Sequence, residues 1–375
     1  MFFDNSNKLP KIIHFWEVDG FVKISNESRI IFKDLIRDYG VGKLAKKLNF
    51  DPETIYSIYN KGRKKGAHSI KHLLDIANIL NYNLEILEKE IIAYGRTQLY
   101  MYNFIFPFFL SPLHLRAVSI HGDGSYNKLT NQSSWYQIHD NISYMEKLLQ
   151  SIFKSPSIKS YKKDSSVSSI TIPSILVYLT CKSLDLDSSD FYSVNFFKNL
   201  SELSKELQFQ FFCQFIVDEG NFKDKTFTIS QKKQKTRKGL IILLDSLEFC
   251  HSNPKNNKDD ITIYGFNFSK ILNHLDRAIK KYGFLAGFWF KEDEFRKICK
   301  FNNEKLSKSI VESRKINKKI FIKLKKDKIV FSYKDVKKLG RTSCQVNKAI
   351  RCWKKNGLIE RVGWNRYKIL EKDVK

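Results

Sequence analysis

The chain has 375 residues, 42% of them hydrophobic, which is enough for two or three domains with sizeable cores and excludes a disordered polyelectrolyte. Lysine and arginine number 66 against 39 aspartates and glutamates, so the net charge of +27 makes a polyanion the expected partner, with nucleic acid ahead of a membrane surface. The 6 cysteines form no CxxC pair, which excludes a zinc ribbon or disulfide framework and fits a reducing cytoplasm.

MFFDNSNKLP has no basic stretch leading into an apolar one, so no secretory signal is expected. From Gly40 the sequence runs GVGKLAKKLNFDPETIYSIYNKGRKKG. Leu44, Ala45 and Leu48 share a helical face, and Asp51 before Pro52 is a helix start, so the segment predicts a helix-turn-helix whose second helix runs from Pro52 to about Lys61. In that geometry Glu53, Thr54 and Ser57 reach base edges, while Lys61, Arg63 and Lys64 hold phosphates. The following SIKHLLDIANIL resembles the closing helices of the repressor-like family. His68 and His72 have the four-residue spacing of a helical metal pair, but without a third ligand they are expected to be surface histidines. An all-α domain is expected over 1–96.

The apolar run MYNFIFPFFLSPL is broken by Asn103, Pro107 and Pro112 and is shorter than the roughly 20 residues needed to span a bilayer, so no membrane partner is expected. Two later segments, RAVSIHGDGSYN and FCQFIVDEGNFK, each end a helical apolar stretch in an acid and a glycine: Asp123–Gly124 and Glu219–Gly220. Ser111 and Pro112 start the first helix, and Asn199 to Glu202 reads as a capping box for the second. The neighbourhoods repeat. After each acid come a strand, a helix and another strand; Ile138 and Ile229 are 91 residues apart, and so are the ITI triplets at Ile170 and Ile261, the mark of an internal duplication.

This doubled pattern resembles the single-chain, two-repeat LAGLIDADG homing endonucleases over about residues 100 to 290. The resemblance implies an α+β domain (97–290) of two pseudo-symmetric αββαββα repeats, about 108–195 and 199–283. It further implies a monomer with internal pseudo-twofold symmetry that binds double-stranded DNA and cuts it with Mg2+ (or Mn2+). Asp123 and Glu219 would be the catalytic acids and metal ligands, with backbone carbonyls of Gly122 and Asp218 completing the shell. A divalent ion activates water and neutralises charge on the phosphodiester oxygens, and without it two such carboxylates raise each other's pKa. The strands would line the major groove. Strand alternation puts Tyr136, Ile138, Phe227 and Ile229 toward the helices, and Gln137, His139, Thr228 and Ser230 toward DNA. Lys232, Lys233, Lys235 and Arg237 would meet phosphates.

The motif helices depart from the family pattern. Arg116, Val118 and Gln214 stand where packed small and aliphatic residues are usual, His121 and Val217 replace an aspartate often seen two residues before each acid, and no catalytic lysine can be assigned. A second reading is therefore a transcriptional regulator that keeps the fold for sequence-specific DNA binding without cutting. LAGFWFKED, Leu285 to Asp293, spells like the motif but lacks its glycine and follows the second repeat, so it reads as a connecting helix.

A basic helix and a third DNA-binding domain are expected over 291–375. FSYKDVKKLGRTSCQVNKAIRCWKKNGLIERVGWNRYKIL predicts a strand, a helix, a turn at Gly340, a second helix over Ser343 to Lys355, and a hairpin turning at Gly363 to Asn365. It resembles a winged helix, which implies that Arg341, Thr342, Ser343, Gln345 and Lys348 face the groove and that Arg361 and Arg366 on the wing meet the backbone. The whole is expected to be cytoplasmic and nucleoid-associated, in a prokaryotic-type cell.

Overall fold

Val22 and Ile24 are buried while Phe21 and Lys23 are not, a period of two that makes Phe21–Ile24 a strand (β1) rather than part of an all-helical domain. The structure is a computed structural model. It describes residues 8–59, 66–98, 100–127, 132–154, 160–162, 166–223, 226–252, 260–327, 330–339, 343–355 and 358–370, and it divides into two compact units, Met1–Cys299 and Lys300–Lys375.

In the first unit β1 is followed by α1 (Asn26–Tyr39), α2 (Val41–Leu48), α3 (Pro52–Tyr59), β2 (His68–Ser69), α4 (Ile70–Ile79), α5 (Leu84–Lys89), β3 (Ile91–Gly95) and β4 (Tyr102–Asn103). The expected helix pair is present as α2 and α3. Asn49 closes α2 in the left-handed region (φ 54), and the Asp51 side chain caps α3 by accepting from Glu53 N at 2.9 Å. The all-α expectation fails because an antiparallel sheet in the order β2-β1-β3-β4 joins the ends of this region. His68 also departs from expectation: it lies on β2 opposite Val22, buried, and desolvation pushes its pKa down to about 4. A strap before β1 ties this region to the rest, with Lys8 N donating to Glu202 O (3.0 Å), Lys11 N to Ser183 O (2.9 Å) and Ile13 bridged to Phe108. One hydrophobic core accordingly runs from Ile13 to Cys299.

The doubled pattern follows. The first repeat is α6 (Pro112–Val118), β5 (Gly124–Asn127), β6 (Gln132–Ile138), α7 (His139–Phe153), β7 (Ser160–Lys162), β8 (Val167–Ile172) and α8 (Ser174–Ser183). After α9 (Val194–Ser201), the second is α10 (Lys205–Glu219), β9 (Gly220–Lys223), β10 (Thr226–Ser230), α11 (Gln234–Ser246), β11 (Asp260–Ile263) and α12 (Phe268–Tyr282). The sheets run β5-β6-β8-β7 and β11-β10-β9, all neighbours antiparallel.

Register corrects the repeat alignment. Gly124 pairs with Trp135 and Trp135 with Ile170; Gly220 pairs with Ile229 and Ile229 with Ile261. Trp135, not Ile138, is thus the counterpart of Ile229. Trp135 is fully buried, whereas Ile138 ends its strand 51% exposed. The inward set on β6 is therefore Ser133, Trp135 and Gln137, and the parity expected for Tyr136, Ile138 and Gln137 is reversed. In SWYQI three large apolar side chains crowd five positions, and burying the largest fixed the register. On β10, Phe227 and Ile229 are buried, with Thr228 and Ser230 on the opposite face. Asn199 to Glu202 closes α9 instead of opening α10, whose N-cap is Ser204.

The 36-residue α13 (Glu292–Asp327) leads out of the first unit. In the second unit the order is β12 (Val330–Ser332), α14 (Tyr333–Lys338), α15 (Ser343–Lys355), β13 (Ile359–Gly363) and β14 (Arg366–Ile369), with the sheet in the order β12-β14-β13. Phe321, Phe331, Val346, Trp353 and Ile359 form its own core. The hairpin turns through Trp364 and Asn365, the latter at φ 53.

The register makes a paired stability prediction. Ile138→Ala should leave the unfolding free energy within about 0.5 kcal/mol, whereas Ile229→Ala should cost about 2–5 kcal/mol by cavity formation. Urea titration of both variants checks this.

Candidate functional site

The two acid-bearing segments meet where α6 packs against α10. Ser111 starts α6 with a reciprocal cap, Ser111 N donating to His114 Nδ1 at 3.1 Å and His114 N to Ser111 Oγ at 3.2 Å. Contrary to the sequence expectation, α6 does not run to its acid. It stops at Val118, and residues 119–123 form a turn. Two polar side chains account for the stop. Ser119 Oγ donates to Phe211 O on α10 (2.9 Å), and the His121 ring is sunk among Phe191, Phe196, Phe197 and Phe211 with Nε2 donating to Phe191 O (2.8 Å). Burial pushes the His121 pKa down to about 3, so the ring is neutral. α10 is buried on every side from Leu207 to Val217 and does carry its acid, Glu219, as its last residue.

Asp123 and Asp218 are locked together across the repeats. Asp123 N donates to Asp218 Oδ2 (3.2 Å), while Asp218 Oδ1 accepts from Trp135 Nε1 (3.0 Å) and Gln214 Nε2 (2.8 Å). A Cβ on Gly122 would stand 2.6 Å from Asp218 Cβ, so the approach requires glycine. Asp218 was expected to offer its backbone carbonyl; the structure adds that its side chain sits inside the cluster. Desolvation first and the Asp123 charge second push its pKa up to about 8, against the pull of the hydrogen-bond donors.

Gln137 Nε2 donates to Asp123 Oδ2 (3.2 Å), which places Gln137 on the acid and not on the outer face where it was expected. Gln231 stands in the same place after its own strand. It is buried, and its Nε2 donates to His121 O at 3.4 Å. The matched spacing of the two glutamines from Trp135 and Ile229 was the signal that would have found them.

Lys291 completes the cluster, and sequence reasoning missed it. LAGFWFKED is not one helix: Phe284–Ala286 and Trp289–Lys291 are short 3-10 turns, and α13 starts at Glu292. Lys291 Nζ donates to Gly220 O (2.7 Å), immediately after Glu219. Burial lowers the Lys291 pKa, opposed by the charges of Asp218, Asp123 and Glu219. The Asp123 pKa is raised by burial, opposed by Lys291 and Gln137; that of Glu219 is raised by burial and then by Asp123, opposed by Lys291, Lys233 and Lys232. Three carboxyl groups and a lysine therefore share one partly dry site, in which burial disfavours the charged form of each.

Among the described residues, no group of three or more His, Cys, Asp or Glu side chains is placed to hold a metal ion by itself. The donor chemistry fits a hard divalent ion that keeps other ligands: Mg2+ is usually held by one or two carboxylates, with phosphate oxygens and water supplying the rest. Asp123 and Glu219 could serve as such a pair.

Of the other expected contacts, Lys232, Lys233 and Lys235 are exposed at the start of α11, and Arg237 is half-buried with Nη1 donating to Gln231 O (3.4 Å). Glu53 is exposed and Thr54 and Ser57 are half-buried on α3; Gln345 is exposed on α15, and Arg361 and Arg366 are exposed on the hairpin. His139 opens α7 instead of extending the strand. Lys61, Arg63, Lys64, Arg341 and Thr342 lie outside the described residues, as do the side chains of His139, Ser343 and Lys348. No helix among the described residues is long and apolar enough to cross a membrane.

No protein-family model matches this chain, and no curated protein matches it. Solved structures similar to this chain include homing endonucleases. They include I-DmoI in complex with DNA and Mn, 15% identical over 44% of this chain and 95% of that one, with a TM-score of 0.31. The LAGLIDADG homing endonuclease I-SmaMI bound to cleaved DNA is 14% identical over 53% and 91%, TM-score 0.33. The LAGLIDADG meganuclease I-AabMI bound to uncleaved DNA is 14% identical over 53% and 92%, TM-score 0.35. At such scores function has to be argued from the site itself.

The buried acid makes a pH prediction. Because the folded-state pKa of Asp218 is raised to about 8, the folded protein holds a proton that the unfolded chain releases near the ordinary carboxylate range. This contribution to stability is present at low pH and is lost as pH rises from about 4 to about 8. Asp218→Asn should flatten that decline, and urea titrations across the range would show it; an unchanged slope would place the titration elsewhere.

Proposed function

We propose that this protein is a site-specific endonuclease that cuts both strands of duplex DNA with the help of Mg2+ or Mn2+. The observation that carries the reading is the meeting of Asp123 and Glu219, the acids of two duplicated segments, in one partly buried cluster with Lys291. With Asp218, four ionisable groups have burial-shifted pKa values and charge partners in this cluster, a costly arrangement for packing and an ordinary one for chemistry on an anion.

Asp123 and Glu219, with the carbonyl of Gly122, would hold a divalent ion, which when bound supplies an activated water and neutralises charge on the phosphate oxygens. Gln137 holds the Asp123 carboxylate by its hydrogen bond. Lys291 sets a fixed positive charge where negative charge grows on the phosphoryl group. Thr228 and Ser230 on the outer face of β10, with Lys232, Lys233, Lys235 and Arg237 beyond it, would track the duplex. The helix pair α2–α3 and the α15–hairpin unit would add flanking contacts.

The test is to capture random-sequence DNA in Ca2+, exchange into Mg2+, and sequence the ends. New ends at one recurrent site are expected, and they should vanish with Asp123→Asn while binding persists. Lys291→Met should slow cutting by about 10²-fold or more, the usual cost of removing a group aimed at developing charge. Binding should weaken steeply with salt, at a log-log slope of about 0.9 per neutralised phosphate. Enriched fragments that stay intact would favour a DNA-binding regulator that uses the same surfaces without cutting.

A further inference from the structure

Arg116 is the anomaly of α6. Its neighbours Leu115, Ala117 and Val118 are buried and apolar, yet its own guanidinium is 0% exposed, and Nε and Nη1 have no hydrogen-bond partner. A buried cation with unmatched donors costs stability that an aliphatic residue would not. Besides Cys213 and the charge of Asp218 on α10, Arg116 reaches one segment. Nη2 donates to Gly287 O at 2.8 Å, and the guanidinium lies 4.4 Å from the ring centroid of Trp289.

α10 makes the matching contact. Gln210 is also 0% exposed on an otherwise apolar stretch, its Oε1 has no partner, and its Nε2 donates to Ala286 O at 3.1 Å. Adjacent carbonyls of one non-helical stretch are thus each held by a polar side chain from a different motif helix. The stretch is fixed further by Trp289, which stacks on Tyr144 (5.6 Å, 14°) and meets Trp135 edge-on (6.0 Å, 79°). Trp289 itself sits at φ 50, a backbone conformation a tryptophan keeps only when its surroundings enforce it. Two residues on, Lys291 reaches Gly220 O and the acids.

We propose that Arg116 and Gln210 are positioning residues: they clamp the 284–291 segment onto the two motif helices and so set Lys291 on the acid cluster. The inference rests on the nuclease reading for its consequence, but its geometry can be tested without it. Arg116 and Gln210, which interrupt the apolar faces of α6 and α10, then act together to bring to the acids a further cation, one that lies outside both repeats. This segment connects α12 to α13, so the site depends on chain beyond the second repeat.

Two variants of the full chain, Arg116→Met and Gln210→Met, remove the donors; the second keeps side-chain length, and the first shortens the side chain but keeps it unbranched and apolar. Gln210→Met also removes an unpartnered oxygen and should fold as well as the parent, which keeps the test valid if Arg116→Met is unstable. The first readout needs no activity: reductive methylation of lysines followed by peptide mass spectrometry. Lys291 should be protected in the parent and label about tenfold faster in the variants through local opening of the segment, with the exposed Lys232 unchanged. The second readout is a cycle with Lys291→Met. If Arg116 and Gln210 act through Lys291, their substitutions should lower the cleavage rate in the parent and have no added effect in the Lys291→Met background. Unchanged labelling of Lys291 in a folded Gln210→Met would overturn the proposal, as would cleavage effects that multiply with Lys291→Met. A parent that cuts no DNA would sink the nuclease reading alone, and the labelling would still decide whether the clamp exists.

Discussion

The close approach of the 119–123 turn to the end of α10 is the contact on which the site depends. Gly122 admits the Asp218 side chain to a distance that no Cβ would tolerate, and the Asp218 carboxylate then takes the Asp123 amide, the Trp135 indole and the Gln214 amide as donors. These donors come from both repeats, so one side chain joins the first acid segment, the first sheet and the second motif helix. A buried carboxylate is expensive unless it is paired in this way. Its satisfaction fixes Asp123 relative to Glu219.

The resulting site is less symmetric than the duplication behind it. Glu219 ends a continuous helix, whereas Asp123 follows a turn that breaks five residues earlier around Ser119 and His121. Gln137 bonds its own acid, while Gln231 bonds the backbone of His121 in the other repeat. Lys291 lies at the carbonyl next to Glu219. The duplicated frame supplies two acids in matched places, and unmatched side chains then specialise the two halves.

Stability is spent around these groups. Asp218, Arg116, His121 and Gln214 are polar groups held in the interior, and some of their atoms have no hydrogen-bond partner. The aromatic packing around them is correspondingly dense, with Phe191, Phe196, Phe197 and Phe211 enclosing the His121 ring. Aromatic packing of this kind offsets the cost of polar groups in the interior.

The sequence by itself determined the two acid–glycine pairs and the duplication, because the pairs and a repeated order of strands and helices are local patterns, although only Glu219 proved to end its helix. It also determined the helix pair of α2 and α3, the cap at Ser111, and the strand–helix–helix–hairpin order of the last unit. Tertiary structure alone decided the rest. The parity of β6 turned on whether Trp135 or Ile138 would be buried, and only the space beneath the sheet ranks them. The Asp218 side chain entered the site because a glycine from the other repeat left room for it. Lys291 was invisible because its partners, Gly220, Asp123 and Asp218, are 71 or more residues away in the chain. Local periodicity reports which face a residue presents, whereas the packing of distant segments decides what that face meets.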